Sequence, residues 1–410
     1  MRSDTTAEML ALALRNIFRN RVRTALTLAA VTCGVAAIIV SGGFVEDVFL
    51  QLREATIHSR LGHFQVYRKG YLELGRRDPS AYLISRPEDV LNALTTVPHV
   101  TEVMTRLMFS GLANNGRSDL PIIGEGVQPA KEARLGTATT YLAGRALSED
   151  DQFGVTLGEG VANALKVQPD RFVTLTVSTR EGALNAMEFK VIGIFRSFSK
   201  DYDDHALRIP QSAAAQLLQT SAVHSVIVAL DETPRTDAAV AAARARLGSE
   251  YEVKPWHELA DFYNKTVELY RRQFGALQLV ILVMLVLSVA STVNMVVYER
   301  TGEFGTLMAL GVKPRSILRL ILLENSVLGL IGAVLGLCVG IAAALALTAI
   351  GIEMPPPPGS TAAYTARIVL VPSILGAAAA IGVAASIAAA ILPGRRAARL
   401  IVVDALRHNI

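Results

Sequence analysis

Long uncharged stretches alternate with segments of mixed polarity along this chain. Four apolar blocks stand out: Thr24–Leu50, Phe274–Tyr298, Ile317–Ile352 and Ile368–Leu392. A helix needs roughly 20 apolar residues, at about 1.5 Å each, to cross roughly 30 Å of hydrocarbon. Each holds an uncharged run long enough: Ala25–Val45 in the first, the whole of the second and fourth, and the remainder of the third after Arg319 and Glu324 in its first two turns. A lone charge at the bilayer centre costs about 2.5–3.5 kcal/mol, so uncharged runs of this length are not core helices of a water-soluble domain. The first block is too long for a cleaved signal peptide and reads as an anchor.

The middle of the chain has a different pattern. Strands are expected at His63–Tyr67, Leu120–Gly124, Phe172–Val177, Phe189–Phe195 and Val223–Leu230, which are mostly rich in Val, Ile and Phe. Helices are expected at Pro87–Leu94, Gly160–Leu165, Gln211–Leu218 and Asp237–Leu247. Their interleaving predicts an α+β domain with two lobes. Trp256–Arg272 reads as one helix running into the second span. The fold class is an α-helical membrane protein with four transmembrane helices and a large α+β domain inserted between helices 1 and 2.

Orientation follows from basic residues beside the spans. Arg15, Arg19, Arg21 and Arg23 precede the first; Arg300, Lys313 and Arg315 sit between the second and third; Arg395, Arg396, Arg399 and Arg407 follow the fourth. Four spans place all of these on one side, the cytoplasm. The domain plan is then a cytoplasmic amphipathic segment (1–23), span 1 (24–50), a periplasmic α+β domain (51–272), span 2 (273–298), a cytoplasmic coupling loop (299–315), span 3 (316–352), a short periplasmic Pro-rich loop (353–367), span 4 (368–392) and a cytoplasmic tail (393–410). In the first segment Leu12, Ile17, Phe18 and Val22 alternate with arginines, the pattern of a helix lying at the interface. The net charge of +4 over 410 residues is too small to imply nucleic acid.

Gly332, Gly336 and Gly340 repeat every fourth residue in span 3, and Gly376, Ala380, Ala384 and Ala388 do so in span 4. Such stripes let backbones approach closely in lipid, within a bundle or across a dimer. The two cysteines, Cys33 and Cys338, both lie in apolar blocks and read as small packing residues with no disulfide framework.

Candidate chemistry is sparse. His257-Glu258 lacks the second histidine of a zinc-protease motif, and no G-x-S-x-G elbow occurs. Asp201, Asp203, Asp204 and His205 read as a solvated turn. No G-x-x-x-x-G-K-[ST] loop is present, so the chain does not hold ATP in the P-loop manner. No catalytic, metal or cofactor-binding residue is assigned.

The loop after span 2 carries the most specific signal. Phe304, Leu307, Met308 and Leu310 form an apolar stripe in a helix too short to fold alone, flanked by Glu299, Arg300 and Glu303 and stopped by Gly311 and Pro314. Such a helix wants a groove on a partner. Tyr298–Gly311 resembles the E-R-x-x-E-[FI]-G-x-L-x-A-[LI]-G pattern of the MacB/LolC/FtsX-like permease family. The opening Arg15-Asn16-Ile17-Phe18-Arg19 and the closing Arg395-Arg396-Ala397-Ala398-Arg399 with Asp404-Ala405-Leu406-Arg407 are similar to that family's ends, although its usual proline is missing and Asp404 stands for a glutamate. Gly158–Ala162, Val191–Phe195 and the Pro355–Pro358 run, stiff and extended as polyproline is, look like the lipoprotein-releasing branch.

The resemblance implies an ABC transporter permease in a bacterial inner membrane that is not itself an enzyme. A separate ATPase subunit would carry ATP and Mg. Its coupling residues would be Glu299, Arg300, Glu303, Phe304, Gly305, Leu307, Ala309, Leu310 and Gly311, with Gly332, Gly336 and Gly340 packing helices. Partners would be the ATPase, a second permease copy or paralogue, a periplasmic carrier or adaptor, and a lipoprotein, lipid or other amphiphile as cargo. Two other readings stay open: an FtsX-like mechanotransmitter that regulates a cell-wall hydrolase, and a tripartite efflux permease.

Overall fold

A computed structural model describes residues 21–75, 79–179, 181–197, 199–354 and 364–399. The amphipathic stretch before Arg21, the proline run Pro355–Pro358 and the tail from Leu400, with Asp404 and Arg407, lie outside the described residues.

In chain order, helix α1 (Arg21–Thr56) leads through a π-helical turn (Ile57–Leu61) to β1 (Phe64–Arg68). Then come α2 (Pro87–Thr95), β2 (Val100–Asn114), β3 (Asp119–Val127), α3 (Pro129–Leu135), β4 (Thr140–Gly144), β5 (Gly154–Gly158) and α4 (Glu159–Leu165). After β6 (Phe172–Ser178), β7 (Leu184–Arg196) and β8 (Ala206–Pro210) follow α5 (Gln211–Leu218), β9 (Ser225–Leu230), α6 (Thr236–Leu247) and β10 (Tyr251–Pro255). The chain continues through α7 (Asp261–Glu299), α8 (Thr301–Ala309), α9 (Pro314–Ile350) and α10 (Pro372–Ala397). It divides into two compact units. One takes the described parts of Met1–Phe49, Val267–Glu353 and Thr365–Ile410; the other takes Leu50–Thr266 with the described part of Met354–Tyr364.

In the first unit, α1, α7, α9 and α10 are long and apolar enough to cross a membrane, with mean hydropathies of 2.2 to 2.6 over their best windows. Pro314 and Pro372 stand in the first turns of α9 and α10, where a missing N–H costs nothing. Valines and alanines dominate the shared core, among them Val31, Val35, Val289, Ala333, Ala378 and Ala389. Cys33 and Cys338 are free and exposed, not packed inside as expected.

The span 4 stripe does not pack against a neighbouring helix of the same chain. A Cβ added to Gly376 would meet nothing within 4 Å, and the buried positions of α10 include Ala378, Gly382, Ala385, Ser386 and Ala389. A four-residue repeat of small residues occurs on more than one face of an alanine-rich helix, so spacing alone could not choose the packing face.

The second unit is α+β. Its ten strands form one sheet in the order β10-β1-β9-β2-β3-β8-β5-β7-β4, with β6 paired to both β2 and β7. Two pairs, β3–β8 and β5–β7, are parallel. The 15-residue β2 serves both halves: Val100–Arg106 lie against β9, and Leu107–Asn114 against β3. Two separate cores result. One gathers Phe64, Val66, Val228 and Val253 with Leu94 of α2 and Val240 of α6. The other gathers Leu107, Leu157, Leu175, Phe189 and Leu207 with Leu165 of α4 and Leu217 of α5.

The expected strands and helices are present, most with shifted ends. Five strands of the ten-stranded sheet were not foreseen: β2, β4, β5, β8 and β10. The helix expected over Trp256–Arg272 is broken. A helical turn ends at Leu259, Ala260 leaves helical geometry with ψ near 60°, and α7 starts at Asp261. The break lets Ala260 bury against Ile57 and Trp256.

Candidate functional site

The loop between α7 and α9 is held from within. Arg300 donates from Nε to Glu303 Oε2 at 2.9 Å and from Nη1 to both carboxylate oxygens of Glu324 on α9 at 3.1 Å. Its guanidinium also lies 5.1 Å from the centre of the Phe304 ring. Arg23 of α1 pairs with Glu299 at the end of α7. Phe304 is fully buried, in a core that includes Val297, Ile317 and Ile321; burying a phenylalanine contributes about 2–3 kcal/mol. Gly311, at φ 92°, ends the segment in the left-handed conformation that glycine adopts freely.

This splits the expected coupling residues into two sets. Arg300, Phe304 and Gly305 face inward, which corrects the reading of Phe304 as part of a partner-seeking stripe. Glu299, Glu303, Leu307, Ala309, Leu310 and Gly311 are exposed, and Leu310 is 78% exposed. The outward face is thus short and apolar at one end, acidic at the other.

Gly332, Gly336 and Gly340 all face α1 of the same chain. A Cβ on Gly332 would lie 2.8 Å from Val31 Cβ, one on Gly336 2.6 Å from Val35 Cβ, and one on Gly340 2.8 Å from Ile39 Cδ1. Thr32 Oγ1 donates to the Gly332 carbonyl at 3.3 Å.

The second unit holds a buried charge cluster that the sequence did not reveal. Arg106, Arg208, Glu125 and Glu132 are at most 8% exposed, and the half-exposed Arg60 joins them. Arg106 pairs with Glu132 at 2.5 Å and with Glu125 at 3.5 Å; Arg208 pairs with Glu132 at 3.3 Å and with Glu125 at 3.7 Å. Burial alone would push the Glu125 carboxyl up, but Arg106, Arg60 and Arg208 overcome it and hold the group below the usual carboxylate range. Tyr202, under the Arg60 guanidinium at 4.9 Å, is pushed up to about 12 by burial.

Two of these arginines also grip the π-helical turn that follows α1. Arg106 Nη1 donates to the Arg60 carbonyl at 2.8 Å, and Arg208 Nη2 to the Ser59 carbonyl at 3.0 Å. Removing one member of such a cluster strands a buried charge, at a cost of about 3–5 kcal/mol.

The acidic run Asp201–His205 is not wholly solvated. Asp203 is 1% exposed and accepts the Ser197 N–H, whereas Asp204 pairs with Lys200 at 3.0 Å. His257-Glu258 lies in a surface turn where Glu258 pairs with Lys254 at 2.9 Å. Among the described residues, no group of three or more His, Cys, Asp or Glu side chains is placed to hold a metal ion.

Residues 24–246 match the family model for a MacB-like periplasmic core domain, and residues 275–400 match that for an FtsX-like permease C-terminal region. The chain belongs to the MacB-like periplasmic core domain family, as an ABC transporter permease of MacB/FtsX type. Among its relatives is an uncharacterized ABC transporter permease, YvrN, from Bacillus subtilis, 25% identical over 98% of this chain and 100% of that one. The macrolide export ATP-binding/permease protein MacB of Hyphomonas neptunium is 24% identical over 98% of this chain and 60% of its own length. The pyoverdine export ATP-binding/permease protein PvdT of Pseudomonas aeruginosa is 27% identical over 81% of this chain and 51% of its own. The chain therefore spans only about half to three fifths of these two ATP-binding/permease relatives. The crystal structure of the periplasmic region of MacB from Actinobacillus actinomycetemcomitans aligns over 50% of this chain and 94% of that region, with TM-score 0.37 and 16% identity.

Proposed function

We propose that this chain is the membrane subunit of a bacterial inner-membrane ABC system, with residues 50–266 in the periplasm. A separate ATPase subunit, holding ATP and Mg, engages the outward face of α8 through Glu303, Leu307, Ala309 and Leu310. Two permease copies, or this chain and a paralogue, form the membrane part. Motion delivered to α8 passes to α7 and α9 through the Arg300 pairs and on to the periplasmic domain, which extracts or exports a lipoprotein, lipid or other amphiphile.

The observation that carries this reading is the contrast within α8. Phe304 and Arg300 fix the helix to the chain's own core, while Leu310 stands 78% exposed at the opposite end of the helix from Glu303. A segment so anchored with an unpartnered apolar end suits a groove on another protein. A Leu307→Asp/Leu310→Asp variant tests it: cargo-stimulated ATP hydrolysis by the assembled system should fall about tenfold or more, with the permease still inserted and folded. Full stimulation in that variant would sink the coupling role.

Efflux through a periplasmic adaptor is a second reading, favoured by relatives named for macrolide and pyoverdine export. Resistance of a deletion strain to amphiphilic drugs, compared with lipoproteins retained in its inner membrane, separates the two.

A further inference from the structure

A cavity of about 160 Å³ opens in the second unit, where α1 ends and α7 begins. Two irregular segments build it. Residues 59–61 come from the π-helical turn and residues 259–263 from the break at Ala260, and all of them line the cavity. Consecutive residues of a regular helix point away from one another around its axis. Five in a row reach one cavity because the helix is interrupted there. Single-turn π-helical segments are frequent at functional sites.

The walls are largely apolar, from Leu61, Leu259, Phe262 and Tyr263. The cation among them is Arg60. Its guanidinium lies 4.9 Å from the centre of the Tyr202 ring, which also lines the cavity, and its Nε is 3.5 Å from Glu125. The side chain is 39% exposed, so a guest in the cavity can reach it. Among the described residues, neither of its terminal nitrogens has a hydrogen-bond acceptor.

Charge identifies the guest. In the cluster behind Arg60, Arg106 and Arg208 pair with Glu125 and Glu132, both buried. Three arginines therefore meet two glutamates, and the surplus positive charge falls on Arg60, the exposed member. Asp203 does not cancel it by pairing, since its carboxylate accepts the Ser197 N–H instead. Asp261, exposed on the lining, opposes an anion from the solvent side. The volume suits a small body, as a cavity of about 150 Å³ accommodates benzene.

We propose that this cavity binds an acidic group, a carboxylate or phosphate, carried on a small apolar body such as one ring or a short alkyl chain. The acidic oxygens accept hydrogen bonds from the terminal nitrogens of Arg60, a charge-assisted contact whose fork geometry matches an oxyanion. The apolar body packs on Phe262 and Tyr263. A free acid and the headgroup of a lipid share this chemistry. The site stands independently of the ATPase coupling proposed for α8.

Trp256, the chain's single tryptophan, lies 5.0 Å from Tyr263 between ring centres and reports on the site. Tryptophan emission of the full chain in detergent is titrated with phenylacetate, phenylacetamide and phenylethylammonium, three probes of similar shape and different charge. Phenylacetate should give a saturable response, at least about tenfold tighter than either other probe. Arg60→Gln, which leaves two arginines against two glutamates, should weaken phenylacetate about tenfold, and Arg60→Lys should weaken it less. Asp261→Asn, at an exposed position where folding is not at stake, should tighten it about twofold by removing a like charge. A merely structural Arg60 would not produce these opposite shifts. In nanodiscs, loss of phenylacetate binding with phosphatidylglycerol but not with phosphatidylcholine assigns the site to a lipid headgroup; binding retained in both assigns it to a free acid. No saturable response to phenylacetate by emission or ligand-observed NMR, equal responses to all three probes, or affinities unchanged by both the Arg60→Gln and Asp261→Asn variants would overturn the proposal.

Discussion

Arg300 and Glu324 form a two-fold bond across the loop: one guanidinium nitrogen lies 3.1 Å from each oxygen of the carboxylate, and both residues are less than a tenth exposed. Twenty-four residues separate them, and the pair ties the α8 loop to α9. Because both are buried, removing either leaves the other short of a buried partner, although Arg300 keeps its bond to the more exposed Glu303. Arg300→Ala or Glu324→Ala should therefore lower stability by about 3–5 kcal/mol, while Arg300→Met with Glu324→Leu should lose much less. Thermal unfolding in detergent provides the comparison; a double variant as weak as the sum of the singles would show that the pair is not a closed unit.

Gly336 should be intolerant of size. Its added Cβ would sit 2.6 Å from Val35 Cβ, so Gly336→Leu must push α1 from α9, at about 1–3 kcal/mol or more. Val35→Ala should restore part of that loss. Gly376→Leu, where no atom lies within 4 Å, should be silent. Equal melting losses at Gly336 and Gly376 would contradict the packing described for α1 and α9.

The second unit should respond to acid in a definite direction. Burial holds His63 and His224 down at about 4, so each stays neutral where an unfolded imidazole, near 6.5, takes a proton. Their contribution is full above about pH 6.5 and is lost as pH falls toward 4. Burial pushes Asp203 up to about 6, against the Ser197 N–H that it accepts. That contribution has the opposite sign: present below the unfolded value near 4, lost as pH rises through about 6. Asp203 thus blunts the histidines' slope. Asp203→Asn should steepen the acid loss by about 2–3 kcal/mol between pH 6 and 4. An unchanged slope in urea titrations of the full chain would refute this.

The spans were legible because uncharged length is a direct physical signature, and α8 because its caps and stripe fit within a dozen residues. The charge cluster was not. Arg106, Glu125, Glu132 and Arg208 lie on β2, β3, α3 and β8, up to 102 residues apart, and meet only through the register of the sheet. Arg208 sits in a strand buried at every position, where a charge reads as a strand breaker. The sequence Val100–Asn114 hid the longest strand for a similar reason: Glu102 and Arg106 interrupt its apolar pattern, yet Arg106 is buried by pairing. Phe304 was visible but misassigned, since periodicity shows that a face is apolar and not which body covers it.

Photo-crosslinking from position 310 in the membrane tests the central claim most directly. With a crosslinker replacing Leu310, the account expects an ABC ATPase subunit as the main adduct, strengthened when ATP is present. A crosslinker replacing the lipid-type position Leu279, 60% exposed on α7, should give no such adduct. Lipid adducts alone from position 310, with no ATPase captured in any nucleotide state, would contradict the assignment of α8 as the receiver of ATP-driven motion.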